Sequence, residues 1–114
     1  MKILFTSKGN SWNSDVDPRL GRAVYLFCYN EEDKQIDVLD NSEIRNEAHG
    51  AGPKTVQKIF DMEPDIIITG NGPGDKAANL LMRTDIKIFT GAWDMSLEDA
   101  YKAYKNGDLK EFVY

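Results

Sequence analysis

The chain has one cysteine and one histidine among its 114 residues. Cys28 alone cannot close an internal disulfide, and cannot by itself build a cysteine-ligated zinc or iron–sulfur centre. Long apolar runs are missing as well. The longest, Ala23 to Tyr29, falls far short of the roughly 20 residues a membrane-spanning helix needs. The opening Met1-Lys2-Ile3-Leu4-Phe5-Thr6 is too short an apolar stretch for a signal-peptide core. There is no internal repeat, low-complexity tract or linker-like segment. With 41% hydrophobic and 29% charged residues, intrinsic disorder is excluded. These absences predict a soluble, cytoplasmic single domain over residues 1–114 with no membrane partner.

Positive charge is scarce: 14 Lys and Arg stand against 19 Asp and Glu, a formal net charge of −5. The excess is local. Residues 31–47 hold Glu31, Glu32, Asp33, Asp37, Asp40, Glu43 and Glu47 against Lys34 and Arg45, and the remainder is neutral. A neutral remainder without a basic stripe argues against a nucleic-acid partner, and the acidic run itself reads as a solvated face.

The apolar segments divide into two rhythms. Lys2 to Ser7, Val24 to Tyr29 and Gln35 to Asp40 read as three strands, the last two joined by the polar loop Asn30 to Lys34. From Gly52-Pro53 the spacing turns helical, with Val56, Ile59 and Phe60 on one face, and Pro64 ends that helix near Glu63. Residues 65–69 form an all-buried strand, Ala77, Leu80 and Leu81 mark a helix, and Ile86 to Phe89 a further strand. Ser96-Leu97-Glu98-Asp99 opens a last helix that Gly107 closes. The tail from Leu109 is ambiguous. The order βββαβαβα predicts an α/β protein, a three-layer ribonuclease-H-like fold with a mixed five-stranded sheet. Strand one should lie between its hairpin partner and the strand at 65–69.

Strand direction then locates the chemistry. Thr6 to Asn10, Asp17 to Arg22, His49 to Pro53, Thr69 to Gly74 and Thr90 to Trp93 all fall at the carboxyl edge of the sheet, where α/β proteins bind ligands. Up to three helix N-termini offer unpaired N–H groups and positive dipole ends there. Gly50, Gly52, Gly70 and Gly72 allow close backbone approach. Arg19, Arg22, Lys8 and Lys54 could add charge, Asn71 a polar contact, and His49 could donate, accept or ligate a metal. The edge therefore predicts a pocket for a small or medium anion. Each piece also has an ordinary reading: the Gly70–Gly74 loop as a plain turn, His49 as a capping residue, Cys28 as a packed thiol, Arg19 and Arg22 as partners of Asp15 and Asp17. Trp12 and Trp93 would pack loops down, or line or lid a pocket.

Catalysis fares less well. The Gly-rich loop is neither a phosphate-binding P-loop nor a dinucleotide fingerprint. Strand one lacks the acids a metal-dependent nuclease needs. A triad could only use Ser7 or Ser11, and no nucleophile elbow is present; nothing pairs Asp15, Asp17 or Asp75 for acid–base work. Binding is expected over enzymatic turnover.

Three segments carry a family likeness: Asp17-Pro18-Arg19-Leu20-Gly21-Arg22-Ala23-Val24-Tyr25-Leu26, Ala48-His49-Gly50-Ala51-Gly52-Pro53, and Ile68-Thr69-Gly70-Asn71, followed by Ile86-Lys87-Ile88-Phe89. In this order and spacing they resemble the dinitrogenase iron–molybdenum cofactor biosynthesis family, which includes NifX and the C-terminal domain of NifB. The resemblance implies binding, carriage or storage of an anionic metal–sulfur cluster: an iron–molybdenum cofactor precursor, an Fe–S or a Mo–Cu–S species. It implies a cluster donor or acceptor protein as partner, with Arg19, Arg22, His49, Gly50, Gly52, Gly70, Asn71 and Gly72 at the site and His49 as the metal contact. Where the family often has His-Phe-Gly-Arg, this chain has Arg19-Leu20-Gly21-Arg22, a cation in place of a second metal ligand. The loop after Asn71 is one residue longer. The competing expectation is a protein–protein interaction module that docks through its acidic 31–47 face and holds no cluster.

Overall fold

A computed structural model describes residues 1–114. Its sheet is built from β1 (Lys2–Ser7), β2 (Tyr25–Asn30), β3 (Ile36–Asp40), β4 (Ile66–Ile68), β5 (Lys87–Thr90) and β6 (Lys110–Glu111). The strands lie in the order β3-β2-β1-β4-β5-β6. As the element order predicts, β1 runs antiparallel to β2, with Phe5 opposite Phe27, and parallel to β4, with Phe5 opposite Ile68.

Alternation along the strands makes two cores. Leu4, Leu26, Cys28, Ile67 and Ile88 point to one face, against Val56 and Ile59 of α2 (Ala51–Met62) and Ala77 and Leu81 of α3 (Asp75–Leu81). Ile3, Phe5, Phe27, Ile66 and Ile68 point to the other, against Leu97 and Ala100 of α4 (Leu97–Lys105). Helices thus cover both faces, and the central strands are apolar on both sides because neither side meets water. Each fully buried Leu or Ile here contributes roughly 1.5–3 kcal/mol. Burial also raises the Cys28 thiol to a pKa of about 11, the inert, packed thiol expected of its place in β2.

Two elements depart from the sequence reading. The sheet has six strands, not five: the ambiguous tail supplies β6, antiparallel to β5 through Phe89–Glu111 and Thr90–Lys110, and Phe112 N–H donates to Ile88 O at 2.7 Å. A short helix α1 (Ser42–Arg45) also precedes α2. No helix is long and apolar enough to cross a membrane.

Trp12 leaves the carboxyl edge and packs on the α4 face, edge to face with Phe27 and Tyr29 at 5.0 Å each. The same side is tied down by Glu31, whose Oε2 accepts from Tyr101 Oη and pairs with Lys105 Nζ. Burial pushes the Glu31 pKa up, but hydrogen bonds from Lys105 and Tyr101 outweigh it and hold the carboxyl below its ordinary value. Burial, then Glu31 itself, raise the Tyr101 phenol.

Leu4→Ala, in a fully buried position on β1, should cost about 2–5 kcal/mol in denaturant unfolding. Because the folded Glu31 pKa lies below the unfolded one, its stabilisation is present above the ordinary glutamate range and is lost as pH falls through the folded value. Glu31→Gln should therefore unfold more easily than the parent at neutral pH, and the difference in melting temperature should close in acid.

Candidate functional site

The carboxyl edge is organised by one buried carboxylate. Asp17 is 0% exposed, and its Oδ1 accepts from Arg19 N–H (3.0 Å) while Oδ2 accepts from Val24 N–H (3.2 Å). Its backbone is held equally firmly: Asp17 N–H donates to Thr6 O (2.8 Å) and Asp17 O accepts from Thr6 Oγ1 (2.7 Å). Thr6 and Thr69 hydroxyls are 2.8 Å apart, so the tips of β1 and β4 and the loop 17–24 share one polar knot. That loop is the hub for everything beyond it. Pro18 O accepts from Asn71 N–H at 2.8 Å, and Gly21 O accepts from Thr55 Oγ1 of α2 at 2.8 Å.

Around this hub lies a cavity of about 550 Å³ lined by residues 19–22, 48–53 and 71–77, Pro73 excepted. Its walls depend on missing side chains. A Cβ on Gly21 would come within 2.9 Å of Gly52 Cα, a backbone-to-backbone approach that no side-chain adjustment relieves. Gly50, the N-cap of α2, takes φ +79°, and neither it nor Gly74, which precedes α3, offers a side-chain cap. The first turn of α2 also contains no acid. The start of α4 is built the opposite way, with Ser96 accepting from Asp99 N–H and Glu98 and Asp99 in the first turn. The Ala51 and Gly52 amides and the positive dipole end that open α2 on the cavity thus have no side-chain acceptor from the chain itself.

The cationic side chains divide by role. Arg19 is half exposed, with Nε 3.5 Å from Asp17 Oδ1, and keeps guanidinium donors for the cavity it lines. Arg22 lines the cavity too, but its Nη1 is spent on the carbonyls of Arg45 (2.6 Å) and Glu47 (3.0 Å). It anchors the 45–50 segment rather than pairing with Asp15 or Asp17. Lys54 pairs with Glu47 at 2.9 Å, and neither it nor Lys8 lines the cavity, whereas Lys76 does. His49 is an exposed rim residue. No group of three or more His, Cys, Asp or Glu is placed to hold a metal ion.

Of the anticipated residues, Arg19, Arg22, His49, Gly50, Gly52, Asn71 and Gly72 line one cavity. Gly70 does not. It lies beneath the wall, where a Cβ would meet Pro18 Cα at 2.7 Å and Trp93 Cδ1 at 2.9 Å. Three of the five expected turns build the cavity, not all five, and the start of α4 is not among its walls. The turn at Thr90–Trp93 reaches it only indirectly, through Trp93 Nε1 donating to Asn71 Oδ1 at 2.8 Å. Ser7 Oγ is occupied with Gly9 and Ser11 Oγ with Asn13, so neither is set against His49.

A family model described as dinitrogenase iron-molybdenum cofactor matches residues 1–107. Among solved structures, the apo form of the orange protein from Desulfovibrio gigas superposes with a TM-score of 0.90 at 24% identity, over 98% of this chain and 92% of that one. A NifB-like protein of the DUF35 family from Thermotoga superposes with a TM-score of 0.81 at 27% identity, over 99% and 97%. No curated protein matches the sequence.

Asp17→Ala should strand the part-buried amides of Arg19 and Val24 and cost on the order of 1–3 kcal/mol, read by chemical denaturation. Gly70→Ala, meeting backbone, should destabilise by about 1–3 kcal/mol. Gly74→Ala, with open space around the added carbon, should stay within about 0.5 kcal/mol of the parent.

Proposed function

We propose, from the premise that the chain belongs to the dinitrogenase iron–molybdenum cofactor family, that its cavity holds an anionic metal–sulfur cluster and carries or stores it without transforming it. The observation that carries this reading is the opening of α2, a twelve-residue helix whose first turn has neither side-chain cap nor acid and faces a cavity where Arg19 and Lys76 outnumber the single acid, Asp75. Such a cluster has net negative charge and sulfides that accept from N–H donors, so fixed amides and a guanidinium suit it. The cargo supplies its own bridging atoms. One further ligand, His49, then suffices as the metal or sulfide contact, and no cysteine is needed. Arg19 takes the place of a second metal ligand, which shifts the balance from coordination toward charge pairing.

The cluster is of the iron–molybdenum cofactor precursor, Fe–S or Mo–Cu–S type, and a carrier of this kind works between a donor and an acceptor protein. A sulfide cargo and a single buried thiol suit the reducing interior of a cell. We also read the strand order 3-2-1-4-5, with the two-residue β6 appended, as a ribonuclease-H-like arrangement that hosts binding in place of hydrolysis.

The test is colour. Anaerobic reconstitution with tetrathiomolybdate and copper, or with iron and sulfide, should give visible absorption saturating at a fixed ratio of metal to protein. Arg19→Gln, which removes one charge-assisted contact, should weaken retention on the order of tenfold, and His49→Ala should shift the absorption bands. Absence of a retained chromophore under all these conditions overturns the reading, as does retention indifferent to both substitutions.

A further inference from the structure

The opposite margin of the sheet has a feature that the cavity does not use. β3 has no neighbour beyond it, and its ladder to β2 has a definite phase. Asn30 N–H donates to Gln35 O and Asn41 N–H to Val24 O. With Leu26 opposite Leu39 and Cys28 opposite Asp37, residues 35, 37, 39 and 41 therefore bond inward. The intervening residues Ile36, Val38 and Asp40 turn their N–H and C=O groups to the open edge.

The side chains along that edge are sorted. Ile36 and Val38, opposite Tyr29 and Phe27, extend the aromatic face around Trp12, yet are 43% and 39% exposed. Asp37 lies on the other face of the strand and Asp40 at its end, both exposed. Exposed edge strands are usually blunted by lysine, proline or a bulge; β3 has none of these and is guarded only by acids. Several acids of the 31–47 run are already engaged: Glu31 with Lys105, Glu32 with the N-terminus, Glu47 with Lys54. Asp33, Asp37, Asp40 and Glu43 are in no ion pair: Asp37 and Asp40 lie in the strand and Asp33 and Glu43 beside it, with Asp33 accepting from Gln35 N–H and Asp40 from Ser42. A second copy of this edge would bring the same acids face to face. An incoming strand of opposite charge would meet hydrogen-bond donors and acceptors, an apolar stripe and carboxylates without a cation in one register.

We propose that β3 is a strand-addition site for an extended segment of a partner protein in which Lys or Arg alternates with aliphatic residues. Its backbone pairs with Ile36, Val38 and Asp40, its aliphatic side chains lie beside Ile36 and Val38, and its cations face Asp37 and Asp33. This goes beyond the cavity's function and stands independently of what the cavity carries.

The test titrates the isotope-labelled full chain with a synthetic peptide alternating lysine and valine, followed by amide chemical shifts. A matched peptide with glutamate for lysine serves as control. Saturable shifts should centre on residues 36–40 and fade with added salt, and the glutamate peptide should produce none. Asp37→Lys should weaken binding about threefold. Val38→Pro, which deletes an N–H turned to the open edge and keeps the ladder to β2, should abolish it while shifts elsewhere in the spectrum persist. Should that variant fail to fold, Asp37→Lys still decides. The proposal is overturned by the absence of saturable shifts, by equal binding of the glutamate peptide, or by shifts confined to the cavity walls. Concentration-dependent shifts of residues 36–40 without peptide overturn it too, since they would make the occupant a second copy.

Discussion

The carboxylate of Asp17 is the constraint on which the rest of the edge depends. A fully buried acid is costly unless its lone pairs are satisfied, and here the satisfying donors are the amides of Arg19 and Val24, two ends of one loop. Folding that loop and burying that charge are therefore a single event. The knot with Thr6 and Thr69 fastens the loop to the tips of two central parallel strands, so the cavity inherits the rigidity of the sheet. Pro18, Gly21 and Arg22 then hold, in turn, the loop after β4, the first half of α2 and the 45–50 segment. One side chain positions three walls.

This arrangement separates structural charge from available charge. Arg22 is engaged with carbonyl groups, Lys54 with Glu47, and Asp17 with amides. What remains at the cavity is Arg19, Lys76 and the start of α2, set against one acid, Asp75 in the first turn of α3. Fixed amide dipoles and one guanidinium suit an anion whose charge is spread over several acceptors, and the cavity gathers too few carboxylates or thiolates to strip a bare cation from water. The acids that set the chain's net charge of −5 lie along β3 and its flanks instead. In the proposed reading, an anion enters the cavity at the carboxyl edge of the sheet and a cationic segment pairs with the strand at its margin.

Much of this was legible in the residues. The switch from hairpin-joined strands to strand–helix alternation determines strand order, and strand direction brings Arg19, His49 and Asn71 to one edge. What escaped has physical reasons. A two-residue strand such as β6 has no period to read, and the four residues of α1 barely exceed one turn. The bond from the Arg19 amide to Asp17 is a local Asx turn that the residues suggest, but the Val24 amide and the burial that make Asp17 a hub arise only in the folded loop. Gly70 looked like a binding glycine and serves as clearance for Pro18 and Trp93; sequence can reveal that a side chain is unwelcome without revealing what occupies the space. Arg22 looked like a free cation because backbone carbonyls leave no trace in a residue pattern. The Gly-Arg-Ala, His-Gly-x-Gly and Thr-Gly-Asn segments were more informative together than any residue alone, since each contributes a different wall.

The proposed function requires an anion at the opening of α2, between Arg19 and the Asn71–Gly72 turn. Anomalous diffraction at the molybdenum edge from crystals grown with tetrathiomolybdate tests it most directly. One strong peak is expected beside the start of α2, placed so that the sulfides around the molybdenum accept from the Ala51 and Gly52 amides and the Arg19 guanidinium. A peak seated elsewhere on the surface, with that cavity holding only solvent, would contradict it.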